Sequence, residues 1–194
     1  MSGVRTRPSS WQAAFDLVKS RGYQRRDEPF MLASGQMSRD YIDGKFAVDY
    51  GDNLVLVATA VVDLAAAEGI EFEAVGGLTM GADPLAIAVS IVAHKRWFSV
   101  RKQRKQRGRN QWVEGTRFER GAGTRVLLVD DVVTTGGSIM QAYERVLDDG
   151  GIVTGVIPMV DRGDIAAKVF VDKGIPYVPL ITYGELGIDP VNGP

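Results

Sequence analysis

Apolar positions along the chain follow two alternating rhythms. After Asp52, residues Leu54, Val57, Val61, Leu64 and Ala65 fall on one face at helical spacing, and Gly69 is placed to end that helix. Upstream, a helix is expected from about Trp11 to Ser20, opened by a capping-box pattern at Ser9 and Gln12 and followed by Gly22. Pro29 to Lys45 mixes β-forming and turn residues, with a turn at Ser34–Gly35. Short apolar runs then alternate with helical patterns. The runs are Phe72 to Val75, Trp97 to Val100, Val126 to Val129, Val153 to Met159 and Tyr177 to Ile181. The helical patterns are Pro84 to Lys95, Ile139 to Leu147 and Ile165 to Asp172. Val126 to Val129 reads VLLV without polar alternation, as expected of a strand covered on both faces. This grammar predicts an α/β fold, a mostly parallel twisted sheet flanked by helices. One domain is expected over 1–194, with about residues 1–45 as a small N-terminal hood and about 46–194 as core and C-terminal segment.

Composition narrows the chemistry. The chain has 194 residues, 45% hydrophobic and 24% charged, which is ordinary for a globular domain and not for a disordered one. No apolar run approaches the roughly 20 residues of a membrane-spanning helix, and the polar start MSGVRTRPSS lacks a signal-type segment, so a cytoplasmic protein is expected. The absence of cysteine excludes disulfides, thiol nucleophiles and cysteine-ligated metals. The single histidine, His94, stands at the end of a predicted helix beside Lys95 and Arg96 and is read as a surface residue. A His-rich zinc site is thereby excluded, so any metal is expected to be a hard cation held by oxygens, such as magnesium. A net charge of −1 argues against a general nucleic-acid binder, yet Arg101 to Arg109 (RKQRKQRGR) holds six basic residues in nine and no acid.

Ligands of parallel sheets bind beyond the carboxyl ends of the strands. Three unusual stretches fall there: GGLTMGADP, RKQRKQRGR and DDVVTTGGS. In VLLVDDVVTTGGSIMQAY an apolar strand leads into Asp130 and Asp131, then Val132 and Val133, then Thr134, Thr135, Gly136, Gly137 and Ser138 at the start of a helix. Such a turn aims successive N–H groups at one point, where the helix N-terminus adds positive potential, and the hydroxyls add donors. A phosphate dianion fits that place. Asp130 and Asp131 would repel the phosphate and suit ribose hydroxyls or magnesium, and as strand-end acids they are expected to be exposed. No lysine follows the glycines, so this is neither a Walker loop nor the dinucleotide fingerprint. The basic run reads as a solvated loop, a nucleic-acid patch or a pyrophosphate clamp. Its position after a core strand favours the clamp, and its glutamines and Gly108 suggest a mobile lid.

The strand, acid pair and Thr/Gly/Ser loop resemble the type I phosphoribosyltransferases. Further motifs resemble the orotate phosphoribosyltransferases among them: FMLASGQMSRDYIDGK, GGLTMGADPLA, VRKQRKQRGRNQWVEG and PMVDRGD. Arg101, Lys102, Lys105, Gly108, Glu114 and Gly115 fall on the pattern of the basic run, while Arg107 stands where those enzymes have histidine, Ala33 where some have lysine, and Gly81 where some have lysine. The resemblance spans about residues 10 to 189. It implies that 5-phosphoribosyl-1-pyrophosphate is bound by Arg101, Lys102, Lys105, Arg107 and Asp130 through Ser138, with Asp130 and Asp131 on the ribose hydroxyls and Thr134 to Ser138 on the 5-phosphate. It assigns catalysis to Asp130, Asp131, Lys105 and Arg101, and orotate binding to Thr134, Arg162 and Tyr41. It also implies magnesium held through the substrate and by Asp130 and Asp131, directly or through water. The quaternary structure implied is a homodimer whose lid residues Arg101, Lys105 and Arg107 serve the neighbouring subunit. The reaction implied is transfer of ribose 5-phosphate to N1 of orotate, in pyrimidine nucleotide biosynthesis, by positioning and charge stabilisation. The alternatives are a phosphoribosyltransferase for another base, and a sugar-phosphate-sensing regulator that binds nucleic acid through the basic run.

Overall fold

A computed structural model describes residues 7–31, 35–104, 111–118 and 123–191. The chain opens with α1 (Ser9–Leu17), which runs into a π-turn at Val18–Gly22. The antiparallel hairpin β1 (Tyr23–Met31) and β2 (Met37–Ile42) follows, then α2 (Gly44–Ala47) and α3 (Gly51–Ala67). The core continues as β3 (Ala74–Leu78), α4 (Asp83–Ala93), β4 (Arg96–Val100), β5 (Val113–Glu114), β6 (Thr124–Val133), α5 (Gly137–Asp148), β7 (Gly151–Asp161), α6 (Ile165–Asp172), β8 (Ile181–Thr182) and α7 (Tyr183–Leu186). The main sheet has the order β5-β4-β3-β6-β7-β8, parallel throughout except for β5.

The apolar tetrad of β6 shows how the layers form. Leu127 and Val129 face a core built with α1, α3 and α4, while Val126 and Leu128 face a second core with α5 and α6. All four are fully buried, as a strand covered on both faces requires. The expected α/β architecture is therefore present. Ala14 and Val18 of the first helical segment are fully buried in the first core, and the hairpin, a separate two-stranded sheet, buries Ile42 in the same core. Among the described residues no helix is long and apolar enough to cross a membrane.

Local expectations fail in three places. The capping box at Ser9 does not form. Pro8 is the N-cap, Ser10 donates to Asp63 at 2.5 Å, and Gln12 donates to Asp16 at 3.0 Å. The run expected at Phe72 to Val75 begins at Ala74 and extends through Gly76 and Gly77 to Leu78, because parallel partners on both sides override the poor strand propensity of glycine. Tyr177 to Ile181 is not a continuous strand. Pro176 and Pro179 cannot donate to a ladder, leaving one bridge at Tyr177 and the short β8. His94 is exposed at the C-terminus of α4, with φ +53°.

Candidate active site

The chain leaves β3 toward β4 on one side and returns to β6 on the other, so the connections after β3 and β6 diverge from adjacent strands. Such a switch point leaves a crevice at the carboxyl edge of a sheet. A cavity of about 670 Å³ lies there, lined by Leu78 to Gly81 after β3, Arg101 to Gln103 after β4, and Asp130 to Val132 and Ser138 from β6 and its loop. A hollow of about 170 Å³ adjoins it, lined by Asp130 and Val132 to Ile139. Asp130, Val132 and Ser138 border both.

The smaller hollow is made by the turn into α5. Gly136 is the N-cap at φ +83°, and a Cβ there would lie 2.8 Å from that of Ala166, so both the conformation and the packing demand glycine. No side chain caps this helix and no acid occupies its first turn. Its leading N–H groups and dipole are thus directed at the hollow beside Thr134, Thr135 and Ser138, an arrangement suited to an anion.

Asp130 departs from expectation. It is 4% exposed, not an exposed strand-end acid, because β6 continues to Val133 with Val132 and Val133 paired to β7. Burial pushes its carboxyl well above the usual carboxylate range. Repulsion by Asp131 adds to the shift, and Lys45 across the cavity opposes it. Asp130 Oδ1 accepts the Asp131 amide at 3.0 Å, and Asp131 Oδ1 accepts the Val132 amide at 2.8 Å. Both carboxylates converge on Gly81. A Cβ on that residue would lie 2.8 Å from Asp131 Oδ1 and 3.1 Å from Asp130 Oδ1. A lysine cannot occupy position 81 unless these acids move.

The basic run contributes its first residues to the cavity. Arg101 donates to Glu114 at 3.0 Å and to the Gln103 carbonyl at 3.2 Å, and Lys102 is exposed on the same wall. Lys105, Arg107 and Gly108 lie outside the described residues, as does Ala33. Thr134 lines the smaller hollow, whereas Arg162 and Tyr41 line neither. Arg162 is buried at the end of β7 under the hood. Its Nη2 donates to the Asp40 carbonyl at 3.3 Å, its guanidinium lies 5.3 Å from the Tyr183 ring, and its Nε has no partner. It does not pair with its neighbours. Asp161 accepts from Tyr177 at 2.8 Å, and Asp164 pairs with Lys168 at 2.6 Å. Tyr41 packs edge-on to Phe30 with Arg26 over both rings.

Lys45, the basic residue that closes the motif FMLASGQMSRDYIDGK, lines the larger cavity, whereas the clamp made by Asp83 was missed. Asp83 accepts from Thr79 at 2.6 Å and from Ser99 at 2.7 Å, tying the loop after β3 to β4. The aspartate in the first turn of α4 was a visible signal for that clamp.

The chain matches the model of the phosphoribosyl transferase domain over residues 56–170. It is 37% identical over 157 residues to an orotate phosphoribosyltransferase of Pyrococcus furiosus, covering 81% of this chain and 85% of that one. An orotate phosphoribosyltransferase of Streptomyces avermitilis is 41% identical over 164 residues, covering 81% and 87%. Among solved structures, the orotate phosphoribosyltransferase of Mycobacterium tuberculosis H37Rv in complex with 5-phospho-alpha-D-ribosyl 1-diphosphate superimposes with a TM-score of 0.72 at 32% identity, over 93% of this chain and all of that chain.

Proposed function

This chain belongs to the phosphoribosyltransferase family, on its orotate phosphoribosyltransferase branch, and on that premise we propose that it transfers ribose 5-phosphate from 5-phosphoribosyl-1-pyrophosphate to N1 of orotate. The bond from ribose C1 to the pyrophosphate oxygen breaks, the bond to N1 forms as the N1 proton is lost to solvent, and pyrophosphate and orotidine 5-phosphate leave.

The observation that carries this reading is the contiguity of three environments: an anion hollow at Thr134 to Ser138, an acid pair beside it, and a larger cavity walled by Arg101 and Lys102. Their order matches 5-phosphate, ribose diol and pyrophosphate along one substrate. In this assignment Asp130 and Asp131 accept from the ribose hydroxyls as positive charge develops at C1. Arg101 and Lys102 stabilise the departing pyrophosphate. Magnesium fits the same place, where Asp130 and Asp131 would hold it directly or through water and it would neutralise pyrophosphate charge. Among the described residues no group of three or more His, Asp or Glu could hold an ion, which fits a metal bound largely through the substrate. Arg162 and Tyr41 are assigned to the base side, beneath the hood. Following the family resemblance, the active form is a homodimer in which Lys105 and Arg107 serve the neighbouring subunit, while Arg101, expected to do the same, is assigned to the cavity it lines in its own chain.

Orotate consumption in the presence of 5-phosphoribosyl-1-pyrophosphate and magnesium tests the proposal directly. Turnover of another base with orotate untouched would overturn the base assignment. No turnover of any base, together with no binding of the sugar phosphate, would overturn the whole reading.

A further inference from the structure

Near the C-terminal end of α5, two charged residues are committed to backbone groups of distant segments. Arg145 is 9% exposed; its Nη1 donates to the Arg101 carbonyl at 2.5 Å and its Nη2 to the Lys102 carbonyl at 2.9 Å. The same guanidinium lies 4.2 Å from the Trp112 ring centre, and that of Arg104 lies 4.9 Å from it. One turn further on, Asp149 Oδ2 accepts the amides of Trp112 and Val113, both at 2.9 Å. The segments so held are Arg101–Lys102, just after β4, and Trp112–Val113, at the start of β5.

Neither residue is where helix formation alone would put it. A carboxylate at a helix C-terminus faces the negative end of the dipole, and two charge-assisted hydrogen bonds offset that disadvantage. A buried guanidinium is costly unless its donors are used, and its planar fork reaches two adjacent carbonyls as an ammonium cannot. Asp149 also fixes β5 at Val113, and Glu114 beside it holds Arg101 at 3.0 Å. The backbone of Arg101 is thus held by Arg145, and its side chain by a strand that Asp149 anchors.

The helix joins this clasp to the anion hollow. Ser138 borders the hollow, and Arg145 is two turns away, about 10 Å along one rigid axis. We propose that Arg145, with Asp149, is a positioning residue for the pyrophosphate end of the site, setting where Arg101 and Lys102 present their charges relative to the phosphate hollow. This rests on the assignment of the larger cavity to pyrophosphate and of the hollow to the 5-phosphate.

Calorimetric titration of the full chain with magnesium pyrophosphate and, separately, with ribose 5-phosphate distinguishes the two ends. Arg145→Met is expected to weaken pyrophosphate binding about tenfold, ~1.4 kcal/mol, while ribose 5-phosphate binding stays within about twofold. Asp149→Asn, which keeps one acceptor, is expected to shift pyrophosphate in the same direction by less. Unchanged pyrophosphate affinity in folded Arg145→Met would overturn the proposal, as would an equal loss for both ligands. Should Arg145→Met not fold, Arg145→Lys retains the charge but not the fork, and pyrophosphate affinity equal to the parent's in that variant would overturn it too. A parent protein that binds neither ligand would overturn the site assignment, and the positioning role with it.

Discussion

Replacing Arg162 with methionine separates a residue held for the fold from one held for a ligand. Among the described residues its guanidinium makes one long hydrogen bond, to the Asp40 carbonyl at 3.3 Å, and lies 5.3 Å from the Tyr183 ring centre. Together these contribute about 1–2 kcal/mol. Against them stands the buried Nε with no partner, a penalty of ~1–3 kcal/mol. Methionine keeps an apolar stem of similar length, so the net change should stay within about 1 kcal/mol, or about 4 °C in Tm for a chain of this size. Binding should respond differently. A guanidinium gripping a carboxylate by paired hydrogen bonds, lost from a partly dry site, costs about 2 kcal/mol or more. Arg162→Met is therefore expected to raise KM for orotate at least ~30-fold while KM for 5-phosphoribosyl-1-pyrophosphate changes by no more than about threefold. Thermal melts and steady-state kinetics on the same preparation supply both numbers. An orotate KM within threefold of the parent, or a parallel rise in both constants, would show that Arg162 serves the hood and not the base.

The other tests address the acids, the loop and the assembly. Asp130→Asn should weaken 5-phosphoribosyl-1-pyrophosphate binding at least about tenfold, yet raise the stability of the ligand-free protein at pH 8, since burial and Asp131 both oppose its ionisation; calorimetry and urea unfolding with a chelator present check the two signs. Burial pushes Asp161 up to about 6 despite its hydrogen bonds from Gly163 and Tyr177. The protonated native form is therefore favoured at low pH, and up to about 3 kcal/mol of stability is lost as pH rises from ~4 through ~6. Asp161→Asn should flatten that dependence, and a slope equal to the parent's in urea unfolding at pH 4.5 and 7 would contradict it. Gly136→Ala, forced into φ +83° against Ala166, should lose at least about 1 kcal/mol of stability and bind ribose 5-phosphate more weakly by titration. Inactive Lys105→Ala and Asp131→Asn subunits should recover partial activity when mixed, and verified hybrids without activity would refute sharing across a dimer.

What could be read from the sequence was whatever rested on local pattern. VLLV and TTGGS mark strand and turn within one window, so β6, α5 and the hollow at the turn between them are where periodicity and turn chemistry place them, although β6 runs on through the acids to Val133. What was hidden depends on distant contacts. Asp130 is buried because β6 runs on to Val133 beside β7 and the Gly81 loop lies against it, and nothing adjacent in sequence announces that. Arg145 reaches a carbonyl 44 residues away, and it reads in isolation as an ordinary C-terminal helix cation. The Ser9 capping pattern was present, but Ser10 spends its hydroxyl on Asp63 in α3. Tyr41 fitted a motif, yet its ring lies in a cluster with Phe30 and Arg26.

The symmetry of the β6 tetrad carries a consequence for folding. Val126, Leu127, Leu128 and Val129 are all apolar and all fully buried, so sliding the strand by one residue exchanges the two cores while three of the four side chains stay between the layers. Hydrophobicity is blind to that error, unlike in a strand with one wet face. The flanking charges are not. A slip in one direction draws Asp130 into the place of Val129 between the layers, and a slip in the other draws Arg125 away from Glu71 and Glu73 into the place of Val126. Either would strand an ion in a dry interior, at a cost of several kcal/mol. The acid assigned to the ribose thus also serves to fix the register of the central strand.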